Sequence, residues 1–195
     1  MRLSSEFWKR PWSGVRRGCW PIACCGRIGT WWSGPSEDGE LSRFTGWLTL
    51  THTQRWHAHR HSTGTGHVYQ GRFKSFPVQE DEHFYAVCRY VERNALRANL
   101  VTRAEDWRWN SLYRWKYGTA KEKSLLSAWP LPRRPAWLDH VNAPQTEAEL
   151  GAIRRSVQRG CPYGDETWSD KMVHQLGLES TLRPQGRPRK SMNGS

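Results

Sequence analysis

The sequence predicts an α+β domain followed by a basic extension, and three observations lead to this prediction. The first is helical spacing of the apolar residues Leu41, Phe44 and Leu48, in a segment that begins near Ser36 and ends near residue 59. The second is residues 68–78, whose composition favours an extended segment. The third is a second helical pattern, which begins shortly after that segment.

This second helix is predicted to run from Asp81 to Asn99. Asp81 is a suitable N-cap, because its carboxylate can accept a hydrogen bond from an unpaired amide of the first turn. Tyr90, Asn94 and Arg97 stand at positions i, i+4 and i+7, and therefore share a face. The predicted buried stripe of this helix consists of Phe84, Val87, Val91 and Ala95.

Composition divides the chain into four regions. Residues 1–35 hold five of the 13 Trp and no His, and Gly and Pro interrupt every helix or strand period, so we expect poor order there. Residues 36–117 form the predicted α+β domain. Residues 118–145 contain four prolines and are predicted to be a linker. Residues 146–195 would form a basic extension, partly helical and partly disordered.

The charge of the chain points to a polyanionic partner. The net charge is +12 and the isoelectric point about 10.0, as is common for nucleic-acid-binding proteins. The 13 Trp could stack on unpaired bases, which favours single-stranded DNA or RNA. A mean hydropathy of −0.84 leaves no long apolar run, so we expect a cytoplasmic protein without a membrane partner. Five Cys without a CxxC pair argue against a zinc ribbon or a disulfide framework.

The spacing of Tyr90 and Asn94 permits phosphodiester cleavage. A tyrosine phenol can attack phosphorus and hold the phosphate covalently. The amide oxygen of Asn94 lies one helical turn away and could bind a hard metal ion, while Arg89, Arg93 and Arg97 could hold phosphates. From the spacing alone, an ordinary surface tyrosine is the better explanation of this pair.

Two motifs carry a resemblance to a known family. Gln-Gly-Arg-Phe occupies residues 70–73, and Arg-Tyr-Val-Glu-Arg-Asn occupies residues 89–94. With these motifs the chain resembles the REP-associated tyrosine transposases, relatives of the single-tyrosine insertion-sequence transposases. Further similar blocks are residues 37–44, 47–57, 66–74, 89–98, 178–184 and 186–190.

The resemblance implies a ferredoxin-like fold, with a small antiparallel sheet and helices packed on it. It also implies cleavage and rejoining of single-stranded DNA at hairpins in transposition, through a covalent 5′-phosphotyrosine. Tyr90 would be the nucleophile, and Asn94 would assist a divalent metal, Mg²⁺ or Mn²⁺. The expected partner is hairpin DNA, with location at the nucleoid and a possible homodimer. The basic residues assigned to DNA contact are Arg72, Lys74, Arg89, Arg93, Arg97, Arg183, Arg187, Arg189 and Lys190.

The N-terminal region departs from the family. The family carries a metal-binding His-hydrophobe-His motif shortly before the Asp-Gly-Glu-Leu block, but here all eight His lie at position 52 or later. The codons of residues 28–35 are compatible, in a shifted frame, with His-Trp-His-Leu-Val-Val-Trp-Pro. We therefore expect residues 1–35 to be a frameshifted translation in which the first strands are missing or corrupted. A divergent N-terminus is the alternative. His57 and His61, at i and i+4, could chelate an ion, or could simply be solvated.

Three functions follow from these observations. The first is a transposase-like enzyme that uses Tyr90. The second is a catalytically inactive remnant that binds hairpin DNA without cutting it. The third, an RNA-binding accessory protein, rests on charge and aromatic content alone.

Overall fold

A computed structural model describes residues 19–25, 28–33, 39–62, 64, 66–69 and 71–184, with described side chains from Gly39 onward. The chain divides into two compact units. The first comprises Met1–Phe73 and Glu80–Gln145, and the second comprises Lys74–Gln79 and Thr146–Ser195.

A β-hairpin is the first described element. Strand β1 (Cys19–Cys25) pairs antiparallel with β2 (Ile28–Ser33), with an irregular register between Cys19 and Ile22. The backbone of β1 lies against three helices of the first unit, and that of β2 lies against one of them. The described backbone of residues 1–35 is thus paired in a region where the sequence predicts poor order.

Helices make up most of the first unit. They are α1 (Glu40–Arg60), α2 (Glu82–Glu92), α3 (Asn94–Arg97), α4 (Ser111–Tyr117), α5 (Ala120–Lys123) and α6 (Trp137–Asn142). Both β1 and β2 lie against α2. The predicted N-cap of α2 is confirmed, because a carboxylate oxygen of Asp81 accepts a hydrogen bond from the amide of His83 at 2.8 Å.

The core of the first unit forms around α2. The predicted buried stripe is confirmed, since Phe84, Val87, Val91 and Ala95 are all buried. Trp137 and Val141 pack in the same cluster as Phe84, and both are almost completely buried. These two residues lie in residues 118–145, for which the sequence predicts a linker. The four prolines are the basis of that prediction, but between the third and the fourth the chain folds as the short helix α6, whose Trp137 and Val141 are buried.

The predicted α+β fold with an antiparallel sheet is wrong. From Gly39 to Pro184 the described residues form helices, turns and loops without a strand, and the hairpin before them has two strands only. In the predicted extended segment at residues 68–78, the described residues form no strand ladder and only Val78 makes an isolated bridge. Gly71 has φ = 79°, which a regular strand does not accommodate, and Pro77 lacks an amide donor.

The second unit is a pair of helices that holds a short extended segment. Helix α7 (Glu147–Arg159) begins with a capping box between Thr146 and Glu149, and α8 (Glu166–Leu176) begins after Asp165. Residue Val78 forms an isolated parallel bridge with Tyr163. Next to this bridge, the Gln79 amide donates to the Asp165 carboxylate at 2.7 Å and accepts from its backbone N–H at 2.8 Å. Residues 74–79 therefore belong to the helix pair and not to a sheet.

Among the residues with described side chains, each unit contains one buried cysteine with a free thiol. Cys88 lies on α2 at 1% exposure, and burial raises the pKa of its thiol well above the usual value. Cys161 follows α7 at 6% exposure, and its Sγ lies 3.7 Å from the hydroxyl of Ser156. Among the described residues, no helix combines the length and the apolar composition needed to cross a bilayer.

Glu105 is a fully buried carboxylate of the first unit with three side-chain donors from separate segments. It accepts hydrogen bonds from Nε of Arg103 at 2.8 Å, Nζ of Lys116 at 3.1 Å and Nδ2 of Asn142 at 2.7 Å. Burial acts to raise the pKa of this carboxyl, but these donors outweigh it and lower the pKa from 4.5 to about 2.

We expect this depressed pKa to make the first unit sensitive to acid. The stabilisation from Glu105 is complete above pH 4.5 and is lost as the pH falls towards 2, because the carboxyl must then bind a proton. A shift of this size corresponds to roughly 3 kcal/mol. Urea unfolding of the Glu105→Gln variant at several pH values should show lower stability near neutrality. The difference from the wild type should shrink below pH 4.5, and an unchanged difference down to pH 2 would contradict the assignment.

Candidate nucleic-acid site

Tyr90 lies near the end of α2 and is partly exposed. The guanidinium carbon of Arg97 stands 4.1 Å from the centroid of its ring, which is a cation–π contact. Nη1 of Arg97 also lies 3.3 Å from the backbone carbonyl oxygen of Tyr90. The phenol ring is therefore covered on one side by a positive charge.

Asn94 opens the short helix that follows α2. Helix α2 ends at Glu92 and α3 begins at Asn94, with Arg93 between them. Asn94 therefore lies about one turn after Tyr90. The amide oxygen Oδ1 of Asn94 accepts a hydrogen bond from Nη2 of Arg97 at 2.7 Å. The prediction that Tyr90, Asn94 and Arg97 share a face is confirmed, because Arg97 contacts both of the other residues.

Arg89 and Arg93 lie on the same side of the helix and contact the end of α6. Nη2 of Arg89 donates to the carbonyl oxygens of Ala143 and Pro144, both at 2.8 Å. Nη1 of Arg93 donates to the carbonyl of Val141 at 2.9 Å and to that of Asn142. The last carbonyls of a helix lack intrahelical donors, so Arg93 satisfies two of them at the end of α6, while Arg89 binds the two carbonyls that follow the helix.

The electrostatics of this face are set by three neighbouring guanidinium groups. Partial burial lowers the pKa of Arg93, and the positive charges of Arg89 and Arg97 lower it further. The carbonyl and amide oxygens described above are uncharged acceptors, so these contacts do not neutralise the guanidinium groups. Neighbouring guanidinium groups of this kind attract phosphate oxygens.

Gln145 also lies beside Arg97, and the sequence did not predict this contact. Its Oε1 lies 3.5 Å from Nη1 of Arg97, across a separation of 48 residues. Its Nε2 is buried and has no hydrogen-bond partner in the described part of the chain. Because the loop after α6 brings Gln145 here, the contact depends on tertiary structure, and no local spacing encodes it. We call Tyr90, Asn94, Arg97 and Gln145 the tyrosine cluster.

The other predicted DNA-contacting residues lie elsewhere. Arg72 is exposed in the first unit. Lys74 and Arg183 are exposed in the second unit, where Nζ of Lys74 lies 3.5 Å from the carbonyl oxygen of Gln158. The carbonyl oxygen of Arg183 accepts a hydrogen bond from Arg159. The remaining three, Arg187, Arg189 and Lys190, lie outside the described residues.

The described residues do not fit the divalent metal that the resemblance implies. The predicted metal ligand Asn94 already shares its amide oxygen with Arg97. Strand β2 lies against α2, where the resemblance expects the histidine pair, but its sequence Ile-Gly-Thr-Trp-Trp-Ser contains no metal-binding imidazole or carboxylate. No group of three His, Cys, Asp or Glu side chains comes together within the described ranges. His57 uses Nδ1 in a 3.0 Å contact with the hydroxyl of Ser62.

Comparison with known proteins adds no relative. No protein-family model, no curated protein and no solved structure matches the sequence.

Proposed function

We propose that this chain is a transposase-like DNA-binding protein that cleaves and rejoins single-stranded DNA at hairpins through Tyr90. One observation carries the proposal. A partly exposed phenol stands in direct contact with a guanidinium group, on a face with two more arginines. This arrangement suits a nucleophile that must approach a negatively charged phosphodiester, because the nearby charge attracts the backbone and offsets the charge of the transition state.

Each member of the tyrosine cluster has a distinct part in this proposal. Tyr90 attacks phosphorus and becomes covalently attached to the 5′-phosphate, while the 3′-oxygen leaves. Arg97 holds the phosphate beside the ring, and Asn94 fixes the guanidinium through its 2.7 Å hydrogen bond. Arg89 and Arg93 keep the loop after α6 in place. The exposed Arg72 would add contact to the DNA backbone.

The proposal is tested by trapping the covalent intermediate. The full chain is incubated with end-labelled single-stranded hairpin DNA, in separate reactions with Mg²⁺, Mn²⁺ or a chelator, and the products are separated on a denaturing gel. We expect a protein–DNA adduct that protease digestion maps to the peptide containing Tyr90. Tight hairpin binding without an adduct in any reaction would reject the cleavage activity.

The metal-site residues support a second candidate, a remnant that binds hairpin DNA without cutting it. Asn94 is engaged by Arg97, and the described residues bring together no group of three metal-binding side chains. In this case the face that carries Arg89, Arg93 and Arg97 would bind DNA phosphates without any cleavage. Fluorescence anisotropy with hairpin, unpaired and duplex DNA should then show a preference for the hairpin and a strong decrease in affinity with salt.

A further inference from the structure

The resemblance implies a metal that the described residues do not fit, and this disagreement has a consequence for the chemistry. We propose that Arg97 provides the positive charge at the reacting phosphate, so that Tyr90 forms its adduct without a divalent ion. This inference rests on the proposed cleavage activity, but it concerns a different question, namely which group carries the charge.

The position of the Arg97 guanidinium is the first argument. It lies 4.1 Å from the Tyr90 ring centroid and 2.7 Å from Oδ1 of Asn94, between the nucleophile and the expected ligand atom. A cation therefore already stands where the resemblance expects a metal ion. A guanidinium is permanently charged and presents several N–H donors in a plane, which suits a phosphate with two non-bridging oxygens.

The hydrogen bonding of Gln145 is the second argument. The contacts of Nη1 of Arg97 with the carbonyl of Tyr90 and with Gln145 are long, at 3.3 and 3.5 Å. The buried Nε2 of Gln145 has no acceptor among the described residues. A buried donor without a partner lowers stability. A phosphate oxygen held by Arg97 and reached by this amide would accept a hydrogen bond from it.

The anchored loop after α6 is the third argument. Arg89 and Arg93 together hold the four carbonyls from Val141 to Pro144. Gln145 follows directly, so its backbone is fixed before any ligand binds. Preorganised donors stabilise a transition state more than mobile ones do, because they need no reorganisation during the reaction. Arg89 and Arg93 are thus positioning residues for the Arg97–Gln145 pair.

The reaction balances without a metal or an oxidant. A lone pair of the Tyr90 phenol oxygen forms a bond to phosphorus as the bond between phosphorus and the 3′-oxygen breaks. The phenol proton passes to water, and the leaving 3′-oxygen takes a proton from water to become a hydroxyl. Arg97 offsets the charge on the non-bridging oxygens throughout. Rejoining is the reverse of these steps, with a 3′-hydroxyl as the nucleophile.

The test measures the rate of adduct formation in chelator and in Mg²⁺ for four proteins. These are the wild type, Arg97→Ala, Arg97→Lys and the control Arg108→Gln, which removes an exposed guanidinium that lies against Trp109 outside the tyrosine cluster. We expect the wild type to react at the same rate with and without metal. Arg97→Ala should react about 10²–10³-fold more slowly, as when one preorganised donor is removed. Arg97→Lys should retain part of the rate, because it keeps the charge and loses the planar pair of donors.

Millimolar guanidinium ion separates a chemical role of Arg97 from a structural one. It should restore part of the Arg97→Ala rate and leave Arg108→Gln unchanged, with thermal unfolding checked for every variant. An adduct that requires a divalent metal overturns this inference and leaves the proposed function intact. A full rate for Arg97→Ala also overturns it, as does the absence of rescue in a folded variant. Absence of an adduct in all reactions overturns both proposals.

Discussion

Replacing Tyr90 with phenylalanine is expected to abolish the covalent protein–DNA adduct and leave hairpin binding nearly unchanged. The substitution removes only the hydroxyl oxygen that would attack phosphorus. The ring remains, so its contact with Arg97 and the positions of Asn94 and Gln145 should persist. Adduct yield on a denaturing gel and dissociation constants from anisotropy, measured on the same preparation, give the two results.

Tyr113→Phe is the matched control for this experiment. Tyr113 lies on α4, is partly exposed as Tyr90 is, and packs against Tyr117. The Tyr113→Phe variant should form the adduct at the wild-type rate. If Tyr90→Phe still forms an adduct, the nucleophile is another residue, and peptide mapping of the adduct would identify it. If Tyr90→Phe loses binding together with the adduct, the hydroxyl contributes to recognition and the separation of the two functions is wrong.

Replacing Glu92 with alanine is expected to destabilise the first unit by about 3–5 kcal/mol, the range for breaking a buried ion pair. Glu92 is fully buried and accepts hydrogen bonds from Nε1 of Trp137 at 2.7 Å and from the hydroxyl of Ser111 at 3.1 Å. Its carboxylate also lies 3.9 Å from Nη1 of Arg133. Alanine leaves all three donors without this acceptor and opens a cavity between α2 and α6.

Urea unfolding followed by tryptophan fluorescence measures this loss, since Trp129 and Trp137 both contact the Arg133 guanidinium. Glu82→Ala is the control on the same helix, because Glu82 is mainly exposed and pairs with Arg134 at the surface. The control should lose less than about 1 kcal/mol. Removing Glu92 and Arg133 together should cost less than the sum of the single changes, since no uncompensated charge then remains. Strict additivity would show that the pair is not coupled.

Local signals made part of this fold predictable. Helix α2 follows from the Asp81 cap and from the apolar stripe that begins at Phe84, because both signals lie within a few turns of sequence. Helices α7 and α8 follow in the same way, and the predicted segments near residues 147–158 and 166–178 correspond to Glu147–Arg159 and Glu166–Leu176.

The features of the fold that could not be predicted depend on contacts between residues far apart in the sequence. Charged residues such as Glu92 and Glu105 are usually exposed, but here each is buried and its carboxylate accepts hydrogen bonds from other parts of the chain. Residues 68–78 have the composition of a strand, but strand formation depends on a neighbouring strand, and these residues pair only through Val78 with Tyr163.

The candidate site was also predictable only in the part that depends on local sequence. Helical spacing was sufficient to place Tyr90, Asn94 and Arg97 together, because the backbone of Arg93, between α2 and α3, is itself near-helical and the spacing carries over from one helix to the next. Spacing was not sufficient to show that Arg89 and Arg93 contact backbone carbonyls, or that Gln145 lies beside Arg97. Those contacts depend on the path of the chain between α5 and α7.

The two buried cysteines make it possible to follow the opening of each unit separately. A thiol reagent modifies Cys88 only when the α2 core opens, and Cys161 only when the α7–α8 pair opens. With Cys19, Cys24 and Cys25 replaced by serine, mass spectrometry could time the two modifications in one sample. Local fluctuation of either unit would then be measurable during DNA binding, without an added label.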